Sequence, residues 1–176
     1  MADWSARYYR SWLAVIIVIL IGAVAYSVWA SHNGASPCPM CIFQRMIFMV
    51  IIGITIIGLL LPQSASRVIA VGLLLTANGG LSVAVYQCLM QAFPEVIPAC
   101  NYADPTLIER FVEWAGMQCP YLFLATGYCE RKDIAFLGLS WAQLAAMAFA
   151  GVSMVAVWLG LPSSIDESRR VRAPSN

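Results

Sequence analysis

Four stretches of this chain, Trp12 to Ala30, Ile42 to Leu61, Val68 to Tyr86 and Trp141 to Leu161, are apolar over the length a helix needs to cross a bilayer, about 20 residues for roughly 30 Å of hydrocarbon. Lipid offers no water to satisfy backbone N–H and C=O groups, so segments of this kind become helices that pack on one another. Composition agrees, since 61% of residues are hydrophobic and 11% charged, which excludes an ordinary soluble domain. The expected fold is an all-α membrane protein. It is a single domain over residues 1–176, a four-transmembrane-helix bundle with outer loops at 31–40 and 87–140.

Two places test that reading. Asn78-Gly79-Gly80 would signal a turn in water, but splitting the third stretch there leaves pieces too short to span, so one helix with a close-packing glycine face is expected. The first stretch follows Arg7 and Arg10 and ends in Val28-Trp29-Ala30, a pattern shared with cleavable signals. It is longer than the roughly 7–15 apolar residues of such a signal, and an uncleaved anchor is expected.

Arginines set the orientation. Arg7 and Arg10 precede the first span, Arg67 separates the second from the third, and Arg169, Arg170 and Arg172 follow the fourth. Those segments are expected on the cytoplasmic side, with both chain ends inward. In the long outer loop the acids Glu95, Asp104, Glu109, Glu113, Glu130 and Asp133 outnumber Arg110, Arg131 and Lys132. All six cysteines, Cys38, Cys41, Cys88, Cys100, Cys119 and Cys129, then fall on the outer side or at its boundary. Disulfides persist outside the cytosol, so the thiols are expected to face an oxidising compartment such as a bacterial periplasm.

Linking Cys100 to Cys129 would close a loop of about 30 residues and remove roughly 3–4 kcal/mol of unfolded-state freedom, an ordinary structural use of cysteine. Cys38 and Cys41 do not suit that use, because a bridge two residues long at a helix mouth constrains almost nothing. They suit chemistry. A sulfur in the first turn of a helix meets the positive end of the macrodipole and unpaired N–H groups, which favour the thiolate. Pro39 fits that first turn, Pro37 stiffens the approach, and Cys41 is the better placed of the two sulfurs. Arg45 lies one turn beyond Cys41 on the same face. A charge at that depth is expensive: it either snorkels to the headgroups or serves the site, stabilising the Cys41 thiolate and polarising a quinone carbonyl.

Within the long loop, Asp104-Pro105 reads as a cap and first turn. Leu107, Ile108, Phe111, Val112, Trp114 and Ala115 recur at helical spacing opposite Glu109, Arg110 and Glu113 as far as Gly116. A short amphipathic helix on the membrane surface is expected, near Cys100. Gly127-Tyr128-Cys129 reads as a turn that delivers the last cysteine.

These residues resemble the DsbB family of bacterial inner-membrane proteins, the disulfide bond formation protein B family. The resemblance runs along the whole chain. It rests on Pro37-Cys38-Pro39-Met40-Cys41-Ile42-Phe43-Gln44-Arg45 at the second span, a cysteine pair in the second outer loop, and Gly127-Tyr128-Cys129 followed by Phe136-Leu137-Gly138-Leu139. It implies an enzyme that reoxidises a soluble, periplasmic, thioredoxin-like dithiol oxidase (DsbA-like) and delivers the electrons to membrane quinone, ubiquinone or menaquinone. It also implies the roles: a Cys100–Cys129 disulfide attacked at Cys100, Cys129 attacking Cys38, and Cys41 donating to a quinone near Arg45. Two places depart from the family pattern. Near the outer end of the third span, where well-known relatives carry a histidine close to the quinone, this chain reads Tyr86-Gln87-Cys88, and Gln44 stands where an acid is common. Cys88 and Cys119 exceed the four cysteines the relay needs; they either bridge each other, which would limit the travel of Cys100, or are separate buried thiols, the expectation favoured here because the loop must move. His32 is expected to be a solvated loop residue.

Rival readings are a vitamin K epoxide reductase-like enzyme, whose C-x-x-C is placed differently, and a redox-inert scaffold with stapled loops. A zinc site is disfavoured because the paired cysteine spacing occurs once. The expected partners are the dithiol oxidase, the quinone pool and the bilayer, with no metal and no nucleic acid.

Overall fold

The computed structural model describes residues 2–94, 105–129, 134–136 and 138–172. In chain order the elements are α1 (Ala2–His32), α2 (Pro39–Leu60), a 3-10 turn (Gln63–Ala65), α3 (Ser66–Ala92), α4 (Leu107–Gln118), α5 (Pro120–Phe123), β1 (Ile134–Phe136), β2 (Leu139–Ser140) and α6 (Trp141–Arg172). Among the described residues four helices are long and apolar enough to span a membrane: Tyr9–His32, Pro39–Leu60, Ser66–Ala92 and Trp141–Gly160. The first three are longer than the apolar stretches of the sequence, and the fourth matches its stretch to within one residue. α3 continues through Gln87 to Ala92, because backbone hydrogen bonding does not stop where hydropathy falls.

Local signals set several ends. α1 stops at His32, where Gly34 takes φ +101° and the Ala35 N–H returns to the Ala30 carbonyl. α2 starts with Cys38 as N-cap and Pro39 in its first turn. α6 begins with a reciprocal cap: the Ser140 N–H donates to Gln143 Oε1 and the Gln143 N–H to Ser140 Oγ.

The helices pack in the cyclic order α1, α2, α3, α6, most extensively between α3 and α6 and least between α6 and α1. The central core stacks Leu13, Ile16 and Leu20 of α1 on Phe48 and Ile51 of α2, Leu73 and Ala77 of α3, and Phe149 and Val152 of α6. Phe48 and Phe149 lie face to face with centroids 4.2 Å apart. The Asn78-Gly79-Gly80 segment is continuous helix, as expected. A Cβ on Gly80 would sit 2.4 Å from the Phe149 ring, so glycine is what lets α3 and α6 approach there.

The outer helix is α4, and it differs in detail from the reading above. Its N-cap is Thr106, whose Oγ1 accepts from the Glu109 N–H while Glu109 Oε2 accepts from the Thr106 N–H; Asp104 lies outside the described residues. Two reciprocal bonds hold this start, and they bury Glu109 on what was read as the polar side. The helix also continues past Gly116 to Gln118. It is apolar on two sides. Val112 and Ala115 are buried in the protein, and Leu107, Phe111, Trp114 and Met117 are exposed, as a helix lying in the lipid interface requires. The β1–β2 hairpin before α6 was not expected from sequence; it turns at Gly138, with φ +79°.

Candidate functional site

Cys38 and Cys41 sit where α2 begins. Cys38 is extended (φ −82°, ψ 165°), and its sulfur accepts the Cys41 N–H at 3.4 Å, one of the N–H groups a helix start leaves over. The two sulfurs are 3.3 Å apart. Both line the neighbouring cleft, and Cys41, half-buried where Cys38 is buried, is the more open of the two.

That cleft, with about 160 Å³ of open space, lies among α1, α2, α3 and α6. Val24, Phe48, Trp141 and Leu144 give it apolar walls, and Cys41, Arg45 and Gln87 reach it as polar groups. Tyr26 of α1 and Trp141 of α6 bridge the weakest helix seam with ring centroids 5.6 Å apart.

Arg45 is roughly 9 Å inside the start of α2 and only 4% exposed. It does not snorkel. Nε donates to Ser27 Oγ at 3.1 Å, Nη2 donates to Ser27 Oγ at 2.7 Å and to Ser31 Oγ at 2.9 Å, and Nη1 donates to the Leu122 carbonyl. These partners are all neutral oxygens, drawn from α1 and α5. A guanidinium has five N–H groups, so one on Nη1 is left without a partner among the described residues. Apolar walls, a fixed cation with a spare donor and an adjacent sulfur fit a flat apolar ring that carries carbonyl oxygens.

Gln44 and Gln87, which lie at the two places where the sequence departs from the family pattern, meet each other. Gln44 Nε2 donates to Gln87 Oε1 at 2.8 Å, and Gln87 Nε2 lies 3.2 Å from Cys38 Sγ and 3.1 Å from Cys41 Sγ.

Cys129 reaches the pair from the loop before α6. It is fully buried, forms one cluster with Cys38, Met40 and Met90, and is itself in a disulfide. Cys100, its expected partner, lies outside the described residues. The segment before Cys129 docks on the first outer loop, where the Thr126 and Gly127 N–H groups both donate to the Pro37 carbonyl, at 2.9 and 3.0 Å. A Cβ on Gly127 would stand 2.0 Å from the Ser36 carbonyl oxygen, so this turn needs glycine for close approach. Gly127→Ala is expected to undock the segment. The clash is with backbone and costs on the order of 1–3 kcal/mol, which should lower the yield of a Cys38–Cys129 crosslink about tenfold in a Cys41→Ser background, read by peptide mass spectrometry.

The structure thus brings Cys38, Cys41, Cys129 and Arg45 into one region, and leaves Cys100 undescribed. Sequence reasoning did not find Ser27 and Ser31, although a serine pair one turn apart near the end of an apolar helix was the available signal. Cys88 and Cys119 are separate thiols, half-buried where buried ones were expected. His32 is the last residue of α1 and not a loop residue; its ring stacks on Tyr121 at 4.1 Å.

The family model of the disulfide bond formation protein DsbB matches residues 9–159. Over 153 residues the chain is 41% identical to disulfide bond formation protein B of Dechloromonas aromatica (strain RCB), covering 85% of this chain and 91% of that one. It is 35% identical over 156 residues to the protein of the same name in Azoarcus sp. (strain BH72), covering 87% and 93%. The counterpart in Escherichia coli (strain K12) is 26% identical over 148 residues, covering 82% and 81%.

Proposed function

The chain belongs to the DsbB family of disulfide bond formation proteins, and from that premise we propose that it reoxidises a periplasmic, thioredoxin-like dithiol oxidase and passes the electrons to membrane quinone. It is a multi-pass membrane disulfide oxidoreductase. The observation that carries the reading is a single cleft shared by the Cys41 sulfur and the buried Arg45, with Cys129 packed behind Cys38. In this reading both chain ends are cytoplasmic in the bacterial inner membrane. Arg67 shares their side, and the cysteine-bearing ends of the helices face the periplasm.

The relay runs in exchange steps, each forming one S–S bond and breaking another. The donor's thiolate attacks Cys100 of a Cys100–Cys129 disulfide, and Cys129 leaves with the electron pair. Cys129 attacks Cys38, and Cys41 leaves as a thiolate at the head of α2, where the helix dipole and the neighbouring N–H donors favour the charge. Bound quinone, ubiquinone or menaquinone, supplies a two-electron, two-proton acceptor. Arg45 would hold its carbonyl end and the apolar walls would hold the ring.

Trapping tests the order. With Cys129→Ser, offered a single-cysteine donor activated as its mixed disulfide with thionitrobenzoate, the Cys100 thiolate displaces the small thiol and the donor remains attached to Cys100 as a mixed disulfide seen on non-reducing gels, because the resolving sulfur is gone. With Cys100→Ser no such species forms. Trapping through Cys129 in the Cys100→Ser variant would reverse the assignment.

A further inference from the structure

Gln44 and Gln87 are 2% and 1% exposed. Two carboxamides at such burial are costly unless their hydrogen bonds are made, and theirs form a line that ends on sulfur. Gln44 Nε2 donates to Gln87 Oε1 at 2.8 Å, which turns Gln87 Nε2 toward the cysteines, 3.2 Å from Cys38 Sγ and 3.1 Å from Cys41 Sγ. The two hydrogens of one amide nitrogen match two sulfurs 3.3 Å apart. In this orientation Gln87 offers sulfur donors only, an environment that suits a thiolate better than a thiol.

We infer that Gln87, aimed by Gln44, is a positioning residue for the Cys38–Cys41 pair, holding both sulfurs in register and stabilising Cys41 when it leaves as a thiolate. The inference rests on the thiol-to-quinone reading above. When the Cys129 thiolate bonds to Cys38, the Cys38–Cys41 bond breaks and its electron pair stays on Cys41. Gln87 donates a hydrogen bond to that charge and keeps its proton. A carboxamide does not titrate, so this pair supports the anion without competing for protons. The other titratable or charged groups around the pair are Arg45, Tyr26 and Tyr128 in the cleft, and Cys129 beside Cys38 is held in a disulfide.

The test compares full-length wild type, Q87L, Q44L and the double variant Q44L/Q87L in detergent. Two readouts serve: steady-state reduction of decylubiquinone by a reduced thioredoxin-like donor, and the alkylation rate of each cysteine in fully reduced protein, with Cys119 as internal reference. Q87L is expected to slow Cys41 alkylation about tenfold relative to Cys119 and to lower kcat by a similar factor, the worth of one hydrogen bond to a charged acceptor. Both KM values should stay within about twofold, and Q44L should show a smaller loss, about threefold. The double variant, which strands no buried amide, should fold well and keep the Q87L defect. A rise in quinone KM with Cys41 alkylation unchanged would overturn the inference by making Gln87 a quinone contact. Unchanged alkylation in the double variant would overturn it outright. If wild type fails to reduce the quinone, the functional reading falls, and the alkylation rates still decide the role of Gln87.

Discussion

Cys41→Ser is expected to abolish electron delivery to quinone, lowering donor-driven turnover by more than about a thousandfold, or roughly 4 kcal/mol of barrier, while the protein still inserts and folds. A serine hydroxyl neither leaves a disulfide as a stable anion nor donates electrons as a thiolate does. Structure gives no reason for collapse, since a bridge between Cys38 and Cys41 restricts almost nothing. Cys38→Ser should lose the same activity by another route, because Cys129 then has no sulfur to attack. Serine is moreover a favoured N-cap, so the start of α2 is preserved in that variant. The two losses are separable: Cys41→Ser should accumulate a Cys38–Cys129 disulfide, and Cys38→Ser should not. Quinone reduction by the reduced donor, with thermal unfolding in detergent as the control for folding, makes the measurement. Turnover near wild type in either variant would remove the central assignment.

How much of this site could be read from sequence depends on whether the signal was local. The four spans were legible because each carries its own apolar length, and the Gly80 contact was legible as a glycine in lipid. Arg45 stood out for the same reason, as a charge in an apolar run. Its anchors did not: Ser27 and Ser31 become partners only through the rotation of α1 against α2, which no residue on α2 announces. Gln44 and Gln87, taken singly, lay where the sequence departs from the family pattern. As a pair 43 residues apart they are complementary, and only packing supplies the pairing. The start of α4 shows a choice between two local signals. Asp104-Pro105 and Thr106-x-x-Glu109 both announce a helix, and the helix begins at the second, where two reciprocal bonds form. Gly127 was read as a turn, and its real constraint is a carbonyl from a loop 91 residues earlier, at Ser36.

Arg45→Met should raise the KM for quinone about 30- to 100-fold and leave the KM for the protein donor within about twofold, the range expected for losing a hydrogen bond from a charged donor, about 2–3 kcal/mol. The asymmetry follows from position. Arg45 faces the cleft from within α2, whereas in the proposed relay the donor engages Cys100 in the outer loop. Folding should survive, because Ser31 Oγ keeps its bond to the Ser27 carbonyl at 2.8 Å and Ser27 Oγ, which loses the arginine, lies on a half-buried side chain that borders the cleft. The chief orphan is the Leu122 carbonyl. Arg45→Lys should recover little of the affinity, since one ammonium cannot reach Ser27, Ser31, the Leu122 carbonyl and a ring oxygen at once, as the planar fork does. Steady-state kinetics with each substrate varied in turn, alongside melting curves, separates the outcomes. Equal rises in both KM values, together with a marked drop in thermal stability, would show that Arg45 serves to fasten α1 and α5 to α2, and the cleft would need another group to hold the quinone.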